Sequence, residues 1–90
     1  MDEVAFIKEM REDYQLPPYL DDSVIKRAGE ECSARLSFIV PGTDFDTDKQ
    51  GRMLLKNATY YLINHRYEDF EQNYADVIHS WQLGARYESK

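Results

Sequence analysis

The chain has little of three things. It holds one cysteine among 90 residues, its three prolines (Pro17, Pro18 and Pro41) all precede the long C-terminal half, and nowhere does it sustain an apolar run of membrane-spanning length. Cys32 alone cannot form an internal disulfide. With no basic-then-apolar leader and no stretch of about 20 apolar residues, neither an export signal nor a membrane helix is expected. The chain reads as a soluble protein of a reducing compartment, or one that never needs oxidation. Positive charge is also scarce, since 11 basic residues face 17 acidic ones for a formal charge of −6. Affinity for nucleic acid comes largely from Lys and Arg displacing counterions, so a surface built to grip DNA is disfavoured. No serine sits in a glycine-flanked elbow, no phosphate loop is present, and the acids show no pairing that points to general acid–base work. The reading is of a chain that is not an enzyme and carries no cofactor.

What is abundant is helical periodicity and aromatic rings. A chain of this length makes one domain and buries only a little over ~60% of its unfolded surface, so a single thin core is expected. Aromatic residues make up 13% of the chain and apolar residues 42%, so a few large rings must supply much of the burial. Oligomerisation would help a core of this size.

Met1 to Asp13 reads as a first helix, capped by Asp2, with Val4, Ile7 and Met10 on one stripe and Phe6 beside them. Pro17-Pro18 removes two backbone donors and stops it. A second helix starts at Asp21-Asp22-Ser23, with Leu20 and Ile25 in staple positions. Val24, Ile25, Ala28, Cys32, Leu36 and Ile39 form its apolar stripe, and Lys26–Glu30, Arg27–Glu31 and Glu31–Arg35 are pairs four apart on its wet side. Gly29 either permits a close helix contact or is a tolerated exposed glycine.

Pro41-Gly42 ends that helix, and Thr47 with Gln50 has the spacing of a capping box, placing the next start at Asp48. From Thr47 to Gln82 apolar residues recur three, four or seven apart: Leu54, Leu55, Ala58, Tyr61 and Leu62, then Phe70, Tyr74, Val77, Ile78 and Trp81. That is one long helix or two in series, with a break expected near Tyr67 to Asp69. The residues from 83 to 90 read as a frayed polar tail. The expected fold is therefore all-α, a small bundle of three to four helices at about 3–13, 22–39, 48–65 and 68–82.

Candidate metal chemistry fares poorly. Asp44, Asp46 and Asp48 alternate like the first ligands of a calcium loop, but Lys49 stands where that loop needs glycine and Leu55 where it needs the bidentate glutamate. His65, His79 and Cys32 lie on separate segments without zinc-ligand spacing, and Cys32 belongs to a buried stripe where cysteine is a small apolar filler. No metal is expected. The aromatic set Tyr60, Tyr61, Tyr67, Phe70, Tyr74, Trp81 and Tyr87 is too large for every ring to face one core. Tyr and Trp are enriched at interface centres, so ordinary packing and a partner surface both stay open for these rings.

Laid out in this way, the chain resembles the head–tail connector proteins of tailed bacteriophages, also described as head-completion, adaptor or putative DNA-packaging proteins. The likeness rests on the acidic start of the helix in YLDDSVIKRAGEECSARL and on LLKNATYYLINHRYEDFEQNYADVIHSWQL, where Ala58, Tyr60, Tyr61, Asn64, Phe70, Asn73 and Tyr74 match the later signature. It covers nearly the whole chain, with Pro17-Pro18 and Gly51 as departures. The resemblance implies a helical virion protein, made in the host cytoplasm, that forms a homo-oligomeric ring beneath the portal protein. It would contact the stopper or tail-completion protein below, while DNA passes through the channel without specific binding. On that basis Tyr60, Tyr67, Phe70, Tyr74 and Trp81 are candidates for packing within or between subunits, and Arg86 and Tyr87 for a tail contact with the portal. The alternatives are a small helical interaction module or regulator that binds through its aromatic face, and a nucleic-acid-binding domain in which Arg27, Arg35, Arg52 and Arg66 would have to cluster.

Overall fold

The computed structural model describes the backbone of residues 1–88 and the side chains of residues 1–85. Five helices follow one another, and no strand occurs among the described residues: α1 (Glu3–Tyr14), α2 (Asp22–Ile39), α3 (Lys49–Ile63), α4 (Tyr67–Asn73) and α5 (Ala75–Glu88). The all-helical expectation holds, with one helix more than expected.

The starts follow local chemistry. Asp2 accepts from the Ala5 amide at 3.1 Å, Asp21 from Ser23 at 2.9 Å and Asp48 from Gly51 at 3.0 Å, each satisfying an amide that the helix itself leaves free. The third cap corrects the assignment of Thr47. Asp48 is the N-cap and the helix begins at Lys49, because the carboxylate one residue later reaches the amide three positions on.

The third helix also ends two residues short of its expected limit. His65 adopts a left-handed conformation at φ 59, its amide donates to Leu62 O, and the Arg66 amide donates to Tyr61 O at 2.8 Å. These are the two reversed bonds of a Schellman motif, formed with histidine where glycine is usual. A second interruption follows at Tyr74, whose φ of −111 and ψ of 11 separate α4 from α5. The expected single helix over 68–82 is thus two, and the segment expected to fray after Leu83 is helical to Glu88.

The central contact is α2 on α3, and α1, α4 and α5 also touch α3. Phe6 and Met10 from α1, Ile25, Cys32 and Leu36 from α2, Leu54, Leu55 and Ala58 from α3, Phe70 from α4 and Trp81 from α5 share one core with Phe45 of the α2–α3 loop. Two expected stripes need correction. Val4 is 80% exposed, because the buried line of α1 runs through Phe6 and Met10, four apart. Val24 is exposed as well, since the buried line of α2 passes through Ile25, Ala28, Gly29, Cys32 and Leu36. Of the three expected pairs along α2, Arg35–Glu31 forms at 3.9 Å, while Lys26 reaches Glu3 across to α1 at 3.5 Å.

Gly29 is a contact glycine. A Cβ there would stand 2.7 Å from Cε2 of Phe6, a ring that is itself buried. Alanine in place of a helical glycine gains up to ~1 kcal/mol in propensity, but overpacking a filled site costs about 1–3 kcal/mol. Gly29→Ala is therefore expected to lower stability by about 1 kcal/mol net in urea titration. The reverse holds at the end of α3: His65→Gly removes a left-handed penalty of about 1–2 kcal/mol against a smaller entropic cost, and should raise the urea midpoint.

Candidate functional site

Rings contributed by α1, α3 and α4, together with Tyr74 between α4 and α5, form one continuous belt. Tyr14 of α1 stacks on Tyr60 of α3 with centroids 4.7 Å apart; Tyr60 meets Tyr61 edge-on, and Tyr61 meets both Phe70 and Tyr74. Phe70 then stacks on Tyr74 at 4.9 Å and touches Tyr67, over whose face the Arg35 guanidinium sits at 4.4 Å. The α3–α4 turn and the Tyr74 interruption bring these positions together, folding the chain back so that α4 lies against the end of α3.

The residues expected at an interface divide by burial. Phe70 is fully buried and Trp81 is 3% exposed, so both are core residues of the single chain and neither offers a surface to a partner. The physical reason is the thin core, in which these two rings close the space between the last two helices and α3. Tyr67 and Tyr74 are half-buried, each with a ring against Phe70. Tyr60 is 37% exposed and remains an accessible ring. The side chains of Arg86 and Tyr87 lie outside the described residues.

Sequence reasoning missed Tyr14, Tyr19, Phe38 and Phe45. Tyr14 follows Met10 by four residues on α1 and so was accessible to the same periodicity. Its hydroxyl donates to Asn57 Oδ1 at 2.8 Å, and burial together with nearby Tyr74 and Asp13 pushes its pKa up to about 12. Phe45 sits between acids in a loop, where no periodicity could signal burial, yet it is 6% exposed against Trp81.

Charged groups close the α1–α3 side from outside. Arg52 bonds Glu9 and lies 3.2 Å from Asp46, while Lys56 meets Asp13 at 2.6 Å and Glu9 at 3.6 Å. The Arg52 hydrogen bond holds the Glu9 carboxyl below the ordinary glutamate value. Of the arginines that would have to cluster to hold nucleic acid, Arg52 is engaged in this network and Arg66 bonds Asp69 at 2.7 Å. Arg35 covers Tyr67 and shares a shallow hollow with Arg66, Glu68, Asp69 and Glu71.

The acidic loop spends its carboxylates on separate donors. Asp44 accepts from the Asp46 amide at 2.9 Å, Asp46 faces Arg52 and the Asp2 amide, and Asp48 caps α3. Among the described residues no group of three or more His, Cys, Asp or Glu is placed to hold a metal ion, and no helix is long and apolar enough to cross a membrane. Cys32 is buried, and desolvation pushes its thiol up to about 11, so at neutral pH it is protonated filler between α2 and α3.

No family model, curated protein or solved structure matches the chain.

Asp48 joins two elements. Its Oδ1 caps α3 at Gly51, and its Oδ2 accepts from the Trp81 indole at 2.9 Å, latching α5 to the loop. Loss of the cap costs about 1 kcal/mol and loss of a bond to a charged acceptor about 1.5–3 kcal/mol. Asp48→Ala should therefore cost at least about 2 kcal/mol and red-shift the emission of the chain's one tryptophan. Asp48→Asn keeps an oxygen for the cap but loses one of two acceptors, so its loss in the same fluorescence-monitored unfolding should be roughly half as large.

Proposed function

We propose that this chain is a structural adaptor of a tailed bacteriophage or prophage, assembling as a ring beneath the portal and joining the DNA-filled head to the stopper or tail. Its mechanism is assembly, with no turnover. The observation that carries the reading is the set Ala58, Tyr60, Tyr61, Asn64, Phe70, Asn73 and Tyr74, by which the chain resembles the head–tail connector proteins. What supports it is the work these residues do. Ala58 and Phe70 are buried, Tyr61 and Tyr74 pack on Phe70, and Asn64 donates to the Tyr60 carbonyl at 2.8 Å where α3 ends. A signature that builds the fold, with no reaction centre in it, is what a family of structural proteins would share. The charge of −6 supports it as well, because an acidic channel wall repels DNA and lets it slide.

In this reading the protein resides at the head–tail interface of the virion after synthesis in the host cytoplasm, and its partners are further copies of itself, the portal and the stopper. A second reading draws on the exposed edge of the stacked Tyr14–Tyr60 pair, which is suited to a helical module that binds another protein. Gene position separates the two: a place between portal or capsid genes and tail genes favours the adaptor, and a regulatory neighbourhood favours the module.

The direct test is mass by light scattering, for the protein alone and mixed with the portal protein encoded alongside it. The expected result is a portal complex carrying many copies of the chain. A monomer that ignores the portal would falsify the adaptor reading.

A further inference from the structure

Two large rings stand almost wholly in solvent, Tyr19 and Phe38, each 89% exposed. They lie just before the start and just before the end of α2, whose 18 residues span about 27 Å. Each has a distinct setting. Tyr19 tops the Pro17–Leu20 turn, closed by the Leu20 amide to Pro17 O at 3.0 Å. Beneath it the Arg11 guanidinium donates to both Pro17 O and Leu20 O and pairs with Asp22. Two prolines and a guanidinium that spans the turn fix the backbone, so the stem that presents Tyr19 as a knob is pre-organised.

Phe38 borders a shallow apolar groove with Ala34, Arg35, Ile39, Tyr67 and Glu71. The chemistry of the groove matches the knob. Arg35 has one face on Tyr67 and only a 3.9 Å approach to Glu31, which leaves it able to pair again. The exposed Asp21 stands two residues from Tyr19, and the Ser23 amide holds its carboxyl below the usual aspartate range, so it meets a cation fully ionised. A tyrosine seated against Phe38 can donate its hydroxyl to Glu71, which answers the one acid on the groove wall.

We infer that Tyr19 of one copy of this chain docks beside Phe38 of the next, with Asp21 against Arg35. Knob and groove occupy opposite ends of α2, so the contact is head-to-tail. Each copy uses one of each, and the assembly closes into a ring or grows as a filament. The inference rests on the self-assembling reading above and supplies its subunit contact.

The test measures self-association by sedimentation across a concentration series, without and with the portal protein, for the chain and for Tyr19→Ala and Phe38→Glu. Both substitutions fall on side chains in solvent, and circular dichroism checks that each variant keeps its helices. Each variant is expected to weaken self-association at least tenfold. An equimolar mixture of the two should form dimers and stop there, because one intact knob meets one intact groove and the other ends are dead. That stop is particular to a head-to-tail contact. Variants that assemble like the parent overturn the inference and leave the adaptor reading standing. Assembly through Tyr19 and Phe38 by a protein that ignores the portal overturns the adaptor reading alone. A parent chain that stays monomeric in every condition overturns both.

Discussion

Every other helix leans on α3. Its 15 residues touch α1, α2, α4 and α5, and Leu54, Leu55, Ala58 and Thr59 are fully buried. A chain of this length has too little apolar surface for two cores, so one central helix must serve several neighbours. Small residues make room for this. Ala58 and Gly51 are buried on α3, and Gly29 on α2 takes the Phe6 ring against its backbone. Among the described residues the one buried polar side chain, Thr59, returns its hydroxyl to Leu55 O at 2.7 Å, and no buried side-chain polar atom lacks a partner.

Around this helix, rings and charges divide the labour. The rings close the end where α3 meets α4, and ion pairs close the α1 side, where Arg52 also faces the Phe6 ring at 5.5 Å. At the opposite end of α3, Asp48 ties loop, cap and α5 through one carboxylate. These arrangements use up most of the aromatic surface inside the subunit. Among the described residues the most exposed rings they leave are Tyr19, Phe38 and the edge of Tyr60, which present apolar area to solvent as Val4 and Leu83 also do.

Composition made an excess of rings over a thin core legible, and spacing did not say which of them are exposed. Of the rings singled out from the sequence, Phe70 and Trp81 are buried and Tyr60 is 37% exposed. Which ones are exposed depends on the turn at His65 and the helix interruption at Tyr74, neither of which periodicity marks. Histidine in a left-handed conformation carries no glycine signal, and Tyr74 continues the apolar spacing straight across the interruption. Phe70 and Trp81 therefore looked available while they fill the interior, and Tyr19 and Phe38, off every predicted stripe, went unmarked.

By itself the sequence determined the helical class and most of the helix starts, because a cap is a contact between a side chain and an amide two or three residues away. It also determined the stop at Pro17-Pro18, and the inert burial of Cys32 within the α2 stripe. Only the tertiary structure decided that Val4 and Val24 face solvent, that Gly29 is a seat for Phe6, and that Phe45 joins the core. It also decided that the last helical segment is two helices running to Glu88. The physical reason is range. Capping energies are local and fixed by spacing, whereas the burial of a ring depends on partners 40 or more residues away in the chain, such as Asn57 for Tyr14.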